Sequence, residues 1–299
     1  QSILEADRQR NSILNTMAPL VVLISGCSTG IGLALAVRLA QDPDKKYLVY
    51  ATMRNLAKKE GLEKAASDAL DKTLFVRQLD VTVDDQVKSI FEFIMEKHGR
   101  VDVLINNAGF GFFGPLEAMS MEKAKNMFDT NYFGTVRLIR AALPIMKKQK
   151  SGRIVNISSM VGHLAVPYMD MYNASKFAME GLSESLLPQL KNFGISISTV
   201  QPGPVTTNFG KALAANASTE EDNKDVSEET VKQMTAFRLL LSKPDLFTAQ
   251  ETGPVIDVIV ECVQAEKPKL RYPTSENVRS WVAKRYREEG VTGLESLFE

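Results

Sequence analysis

The sequence predicts an α/β fold in which a doubly wound parallel sheet is covered by helices on both faces. Short apolar runs rich in β-branched residues alternate with longer helical patterns along the chain, and this alternation requires a parallel sheet buried on both sides. The first run also ends in a glycine-rich turn, and later runs end in small or amide residues. Such residues are expected at the carboxyl edge of the sheet, where ligands bind.

Composition narrows the class of protein. The 299 residues suit one large α/β domain with a sizeable core. The formal net charge of zero gives no electrostatic footprint for nucleic acid or an anionic membrane. The two cysteines, Cys27 and Cys262, lie far apart in the sequence. This argues against a disulfide-stabilised fold and favours a reducing, cytoplasmic location. With two histidines and no cysteine cluster, no metal site is expected.

The start of the chain is predicted to lie outside the domain. Residues 1–17 are interpreted as a flexible leader, because Gln1–Thr16 has neither the basic start nor the apolar run of a secretory signal. The alternative is an arm that packs on the domain, which spans residues 18–299. No apolar run approaches the ~20 residues of a membrane span, and peripheral contact with a membrane stays open.

The first strand, Leu20–Ile24, is followed by a turn that contains Gly26, Gly30 and Gly32, and a helical pattern then covers Leu33–Leu39. Glycines let the backbone approach a pyrophosphate closely, and the helix N-terminus adds N–H donors and a favourable dipole. The turn therefore favours a dinucleotide. The alternative is a tight strand-to-helix connection without a ligand.

The second predicted strand is Tyr47–Thr52, whose end meets the adenosine ribose in a dinucleotide-binding fold. An acidic residue there would bind the 2′-hydroxyl of NAD, but this chain has Met53-Arg54. Because a guanidinium makes forked, charge-assisted contacts with phosphate, Arg54 is predicted to bind the 2′-phosphate of NADP. The alternative is a surface arginine at the start of a loop.

Polar residues also follow the third and fourth predicted strands, Leu74–Leu79 and Val101–Ile105. Asp80 either holds the adenine edge or caps the helix that begins near Asp84. The run Asn106-Asn107-Ala108-Gly109 can stabilise the centre of the sheet or line a cofactor, or it is an ordinary turn.

A long helix is predicted over Met121–Lys148, and Pro144 is expected to end or kink it. Asn131 is unfavourable within a helix, so it needs a hydrogen-bond partner. Arg153–Ile157 is the fifth strand, and it brings Ser158-Ser159 to the edge where ligands bind.

Tyr172 and Lys176 are four residues apart in the next helical pattern, so they share one face of the helix. A free phenol titrates near pH ~10 and is a poor acid–base group at neutral pH unless a positive charge favours its ionised form. Lys176 is placed to supply that charge, which predicts acid–base work on a carbonyl. The alternative is a solvated helix face.

The rest of the chain completes a Rossmann-type sheet. Residues 208–250 change composition and are interpreted as a mobile substrate lid with an apolar inner face, the alternative being an uninvolved surface insertion. The remaining predicted elements are a helix over 56–70, a helix ending near His98-Gly99, continuation of the Tyr172 helix to about Leu190, a strand over Ile195–Val200, a helix over 254–264, a strand over 269–272 and a short helix over 281–286.

Together these motifs resemble the short-chain dehydrogenase/reductase family over nearly the whole chain from about Leu20. The motifs are Gly26-x-x-x-Gly30-x-Gly32, Asn106-Asn107-Ala108-Gly109, Asn131, Ser159, Tyr172-x-x-x-Lys176 and Pro202-Gly203. Longer stretches, among them YATMRN and YNASKFAMEGLSESL, are similar to the branch that holds photoreceptor-type retinol dehydrogenases and type 1 17β-hydroxysteroid dehydrogenase. The resemblance implies NADP(H) as cofactor.

The resemblance also implies roles. Tyr172 would exchange a proton with the substrate oxygen, Lys176 would lower the tyrosine pKa and hold the nicotinamide ribose, Ser159 would polarise the substrate oxygen, and Asn131 would hold a water that relays protons. Thr207 would contact the nicotinamide amide. The implied cofactor-binding residues are Gly26, Ser28, Thr29, Gly30, Ile31, Gly32, Arg54, Asp80, Asn107, Ala108, Gly109, Tyr172, Lys176, Pro202, Gly203, Val205 and Thr207.

The resemblance implies a small lipophilic carbonyl or alcohol as substrate, and retinal is favoured. Retinoid binding needs a long apolar cavity, which Met160, Val166, Met169, Met171 and Phe237 could line, or these residues are ordinary core. A 17-keto or 17-hydroxy steroid is the second hypothesis, although residues 208–250 lack the histidine that contacts the distal steroid oxygen in the steroid enzyme. A non-catalytic NADPH-sensing protein is the third, since a fold does not imply activity.

Two further expectations follow from the resemblance. A homodimer is expected through the helices that carry Asn131 and Tyr172. Stable membrane attachment is not expected, because the sequence ends soon after Trp281 without the cysteine-bearing tail of lipid-anchored retinol dehydrogenases.

Overall fold

The computed structural model describes residues 18–241 and 248–287. Within them, seven parallel strands form one sheet in the order β3-β2-β1-β4-β5-β6-β7. The strands are β1 (Leu20–Ile24), β2 (Tyr47–Met53), β3 (Leu74–Gln78), β4 (Val103–Asn106), β5 (Gly152–Ile157), β6 (Ile195–Gln201) and β7 (Arg271–Pro273). The predicted doubly wound, Rossmann-type α/β fold is confirmed. The predicted leader lies outside the described residues, as does Phe247 of the predicted lid.

Ten α-helices connect and cover the described strands. They are α1 (Gly30–Ala40), α2 (Glu60–Ala66), α3 (Asp84–His98), α4 (Met121–Phe128), α5 (Gly134–Gln149), α6 (Asp170–Lys191), α7 (Asn208–Ala215), α8 (Glu228–Leu241), α9 (Thr252–Gln264) and α10 (Glu276–Arg287). Across these residues, no helix combines the length and the apolar character that crossing a membrane requires.

The core lies on both faces of the sheet. Alternate residues of a strand point to opposite faces, so Val22 and Ile24 pack with the helix pair α1 and α9, whereas Val21 and Leu23 pack with residues of α3 and α5. Burial on both faces explains why the strands read as continuous apolar runs rather than alternating ones.

The long predicted helix differs from the prediction at two points. Asp129–Phe133 is a π-helical segment that separates α4 from α5, and such segments are frequent at functional sites. Helix α5 continues past Pro144 to Gln149, so the proline does not end it. Pro144 lies on the exposed side of α5, where water can satisfy the carbonyl that its missing N–H leaves free.

The ends of other helices and strands also differ from the prediction. The helix expected over 56–70 is the shorter α2 between two 3-10 turns, Leu56–Lys58 and Ser67–Ala69. The last strand begins at Arg271 and α10 begins at Glu276, two and five residues from their expected starts. Short elements such as these depend on packing more than on local propensity, which sequence patterns do not report.

Candidate active site

The predicted site residues follow four strands that are adjacent in the sheet. The glycine turn follows β1, Asn107 follows β4, Ser159 follows β5 and Pro202 follows β6. Because these strands are parallel, all four turns lie at the carboxyl edge of the sheet. The chain reverses its direction of winding between β1 and β4, and ligands of open α/β sheets bind at such a point.

Helix α6 carries Tyr172 and Lys176, and both side chains are buried, with exposures of 8% and 4%. The alternative of a solvated helix face is therefore wrong. Lys176 Nζ lies 5.7 Å from the centroid of the Tyr172 ring and donates a 2.8 Å hydrogen bond to the carbonyl oxygen of Ile157 at the end of β5. This bond fixes the ammonium group between α6 and the sheet.

Burial dominates the titration of both groups. It raises the pKa of Tyr172 to about 12, against the lowering effect of a hydrogen bond with Ser159. It lowers the pKa of Lys176 to about 8, against the raising effect of Glu180. The protein by itself therefore does not give Tyr172 a lowered pKa, because desolvation of the phenolate outweighs the hydrogen bond with Ser159. At neutral pH Tyr172 is a protonated phenol that can donate.

Ser159 lies in the turn after β5 and begins the 3-10 turn Met160–Gly162. Its Oγ accepts from the N–H of Val161 at 3.3 Å and donates to the carbonyl oxygen of Pro202 at 3.3 Å. The hydroxyl is thus held by backbone groups beside the Tyr172 phenol, where it can reach an oxygen atom that also contacts Tyr172.

Asn131 lies in the π-helical segment and is fully buried. Its Nδ2 donates to the carbonyl oxygen of Phe110 at 2.9 Å and to Ser175 Oγ at 3.1 Å, and its Oδ1 accepts from the N–H of Phe110 at 3.0 Å. The predicted need for a partner is therefore met. A Cβ atom on Gly109 would lie 3.2 Å from Asn131 Oδ1 and 3.8 Å from Lys176 Nζ, so the structure brings these three residues together.

Close packing around the glycine turn requires glycine at two of its positions, Gly26 and Gly32. Gly26 has φ +75°, and a Cβ atom there would lie 2.8 Å from Ala108 Cα. A Cβ atom on Gly32 would lie 2.5 Å from the carbonyl oxygen of Gly26 and would also collide with the Asn107 side chain. Asn107 Nδ2 in turn donates to the carbonyl oxygens of Ser25 and Gly26 at 3.0 and 2.9 Å. The turn after β4 therefore holds the turn after β1.

The residues beside this turn include donors suited to the phosphates of a dinucleotide. Helix α1 begins at Gly30, and the Thr29 side chain makes no capping hydrogen bond, so the N–H groups of its first turn are available to phosphate oxygens. Ser28 is half-buried and Thr29 is exposed beside them. Ile31 packs partly against the core below. Gly30, with φ +61°, faces Thr207 across the site.

Arg54 and Asp80 follow neighbouring strands, β2 and β3. The Arg54 side chain is exposed, and within the described residues its guanidinium makes no hydrogen bond or ion pair, which leaves it able to contact a phosphate. Asp80 accepts from the N–H and the Oγ1 of Thr82 at 3.0 and 2.7 Å. The N-cap of α3 is Val83, so the alternative that Asp80 caps this helix is wrong.

The segment after β6 borders the same space. The carbonyl oxygen of Pro202 accepts from the N–H of Met160 at 2.8 Å, and Val205 pairs with Gln250. A Cβ atom on Gly203 would lie 2.9 Å from Val278. Thr207 caps α7 through the N–H of Phe209 at 3.2 Å, which leads the chain directly from the predicted cofactor site into the predicted lid.

An apolar cluster lies against Tyr172. It contains all five residues that the sequence predicts for an apolar cavity, namely Met160, Val166, Met169, Met171 and Phe237. Phe237 comes from α8 and is 2% exposed, which contradicts the alternative that residues 208–250 are an uninvolved surface insertion. We call these five residues the apolar cluster.

Two residues near the predicted catalytic residues were missed by sequence reasoning. The Phe209 ring centroid lies 5.6 Å from that of Tyr172, and its position just after a capping threonine is the signal that could have found it. Glu180 lies one helical turn beyond Lys176, and the spacing of four residues is itself a signal. Across the described residues, no group of three potential metal ligands is found.

Comparison with known proteins defines the class. A model of the short chain dehydrogenase family matches residues 20–237, and the chain belongs to this family. It is an oxidoreductase of the kind that acts on CH–OH groups, and nicotinamide cofactors are typical of the family, with NAD or NADP bound in similar solved structures.

Named relatives lie within that class. Human retinol dehydrogenase 8 is 50% identical over 261 residues, which cover 86% of this chain and 82% of that protein. Human 17-beta-hydroxysteroid dehydrogenase type 1 is 42% identical over 265 residues, which cover 87% and 79%. The solved structure of ElxO with NADP bound is 28% identical, with a TM-score of 0.70 over 88% of this chain and all of that one.

Proposed function

We propose that this protein is an NADP(H)-dependent reductase or dehydrogenase that interconverts retinal and retinol. The observation that carries the proposal is the buried Tyr172–Lys176 pair, in which Tyr172 hydrogen-bonds to Ser159 and lies against the apolar cluster. A lipophilic chain can pack on that cluster while its carbonyl oxygen accepts from the Tyr172 hydroxyl and lies beside Ser159. The 50% identity to human retinol dehydrogenase 8 supports a retinoid as that chain.

The hydrogen bonds support the catalytic roles that we propose. Tyr172 donates its proton to the carbonyl oxygen in reduction and removes it from the alcohol in oxidation. Ser159, held by Val161 and Pro202, orients that oxygen. Lys176 supplies positive charge beneath the phenol, and Asn131 holds a water beside Lys176. When bound, the nicotinamide supplies or accepts the hydride.

The cofactor is proposed to lie along the carboxyl edge of the sheet. Ser28, Thr29 and the first turn of α1 hold its phosphates, Asp80 meets the adenine, and Asn107 and Thr207 lie towards the nicotinamide end. Arg54 binds the 2′-phosphate, which makes NADP(H) the preferred form. Helices α7 and α8 act as the substrate lid, since Phe209 of α7 packs on the Tyr172 ring and Phe237 of α8 belongs to the apolar cluster.

A homodimer through α4, α5 and α6 is part of the proposal. Exposed aromatic and aliphatic side chains on this side of the molecule support it: Phe133 is 48% exposed, Phe177 38% and Leu187 36%, and such residues are covered in stable interfaces. Sedimentation should give the mass of two chains, and the mass of one chain would refute the dimer.

The second candidate is a 17β-hydroxysteroid dehydrogenase, which the 42% identity to the human type 1 enzyme favours. NADPH oxidation measured with all-trans-retinal and with estrone, offered separately, distinguishes the two. Turnover of retinal well above that of estrone supports the first function, and the reverse order supports the second. Binding of NADPH without turnover of either would support a sensing protein.

A further inference from the structure

Glu180 is a buried carboxylate on the helix of the proposed catalytic pair. It lies four residues after Lys176 on α6 and is 4% exposed. Residues at this spacing share a helix face. A glutamate is seldom buried so fully unless it is paired, and none of the roles proposed above uses it.

Four side chains from other elements surround this carboxylate. Its Oε1 accepts from Gln201 Nε2 at 3.1 Å, and its Oε2 accepts from Thr199 Oγ1 at 3.0 Å. The same Oε2 lies 3.2 Å from His163 Nε2 and 3.4 Å from Arg271 Nε. These partners come from β6, from β7 and from the segment after β5, so the carboxylate is held from three directions.

These contacts keep Glu180 ionised. Burial raises its pKa, but the hydrogen bond and the charge of His163, together with the hydrogen bonds from Ser158 and Gln201, outweigh burial and leave the pKa below the usual value. A negative charge therefore lies on the same face of α6 as Lys176, one helical turn further along the helix.

Lys176 is the group that this charge affects. Burial lowers its pKa to about 8, and attraction to Glu180 opposes that effect. The other charged or titratable groups that face the pair are His163, Tyr172, Arg271 and, through Arg271, the exposed Glu184 at 2.8 Å. Of the two carboxylates, only Glu180 is buried, where its charge is little screened by solvent.

We propose that Glu180 is a positioning residue that keeps Lys176 protonated beside Tyr172 at the pH of catalysis. The proposal rests on the proposed function, and it deepens that function by assigning the charge state of the proposed catalytic lysine to a carboxylate one turn away. Without this carboxylate, the buried ammonium loses its proton at a lower pH, and the phenol loses its cationic neighbour over more of the pH range.

The direct test is the titration of Lys176 in the cofactor-free protein. Its pKa is read from the ¹³Cε resonance of lysine-labelled protein, assigned by its loss in Lys176→Arg. Glu180→Gln keeps the shape of the side chain and removes its charge, so the midpoint is expected to fall by about one pH unit or more. An unchanged or raised midpoint would overturn the proposal.

Two further variants control the test. Glu184→Gln removes a carboxylate from the same helix, but its side chain is 64% exposed, so the midpoint should stay close to that of the wild type. Arg271→Met removes a cation beside Glu180 and should raise the midpoint. If Glu180→Gln does not fold, a midpoint that Arg271→Met leaves unchanged or lowers contradicts the proposal.

The rate of carbonyl reduction separates this proposal from the proposed function. In Glu180→Gln the alkaline limb of the pH profile of kcat should move to lower pH by as much as the Lys176 midpoint does, and kcat near pH ~6 should be retained. A uniform loss of kcat at every pH would indicate a structural role only and would overturn the proposal. If no form reduces any carbonyl while the Lys176 midpoint still falls, the proposed function fails and the electrostatic role of Glu180 stands.

Discussion

The side-chain amide of Asn131 hydrogen-bonds to both backbone polar groups of Phe110, donating to its carbonyl oxygen at 2.9 Å and accepting from its N–H at 3.0 Å. The contact joins the π-helical segment to the loop after β4. The contact therefore fixes the position of α4 and α5 relative to the loop after β4, whose Gly109 lies beside Lys176.

Asn131→Ala should lower the free energy of unfolding by about 1–3 kcal/mol, because it removes the partners of two half-buried backbone groups of Phe110. Chemical denaturation measures this. Asn126→Ala, on the exposed side of α4, is the matched control and should change stability by less than about 0.5 kcal/mol. Equal effects at the two positions would contradict the assigned contact.

Arg54→Ala should raise the KM for NADPH by about 10–100-fold and leave the KM for NADH nearly unchanged, since a hydrogen-bonded charge is worth about 1.5–3 kcal/mol. Arg38→Ala, an exposed arginine on α1, should leave both values as in the wild type. If wild-type protein binds NADH as well as NADPH, the role given to Arg54 is wrong.

Gly32→Ala should abolish NADPH binding and destabilise the fold, because its Cβ atom collides with the Gly26 carbonyl oxygen and the Asn107 side chain. Gly61→Ala places the same methyl group on α2, where its nearest neighbour is a leucine methyl at 3.9 Å. That control should be neutral or should stabilise by up to about 1 kcal/mol. The stability and cofactor affinity of the two variants are measured by thermal unfolding and NADPH titration. A stable Gly32→Ala protein that binds NADPH would contradict the steric collision described for Gly32.

Phe209→Ala should raise the KM for all-trans-retinal several-fold and change the KM for NADPH little, because its ring packs 5.6 Å from the Tyr172 ring on the substrate side of the proposed site. Leu239→Ala, 64% exposed on α8, serves as the control. Steady-state kinetics with both substrates decide the question. An unchanged KM for retinal in Phe209→Ala would remove α7 from the proposed lid.

Sequence patterns predicted the sheet well because each buried strand is a local apolar run with a turn residue at its end. The first six strands were placed to within about two residues, and Tyr172, Lys176, Ser159 and Asn131 lie near one another as their places in the fold implied. Tyr172 and Lys176 lie four residues apart on one helix, so the helical pattern alone predicted that their side chains share a face.

The parts that were missed depend on contacts between distant segments. The π-helical segment at Asn131 accompanies hydrogen bonds to Phe110 and Ser175, neither of which is local. The contacts of Gly26 and Gly32 with the turn after β4 were not predicted, and their assignment to pyrophosphate binding remains a prediction. The pKa of Tyr172 is governed by desolvation, which no pattern of residue types reports.

The central claim is that Tyr172 exchanges a proton with a lipophilic carbonyl, and NADPH oxidation with all-trans-retinal tests it most directly. Wild-type protein should reduce retinal, and Tyr172→Phe should lose at least about 100-fold in kcat while still binding NADPH. Tyr47→Phe is the control, because the Tyr47 hydroxyl accepts from Gln264 far from the site, and this variant should match the wild type. Retinal turnover that survives intact in Tyr172→Phe would contradict the claim.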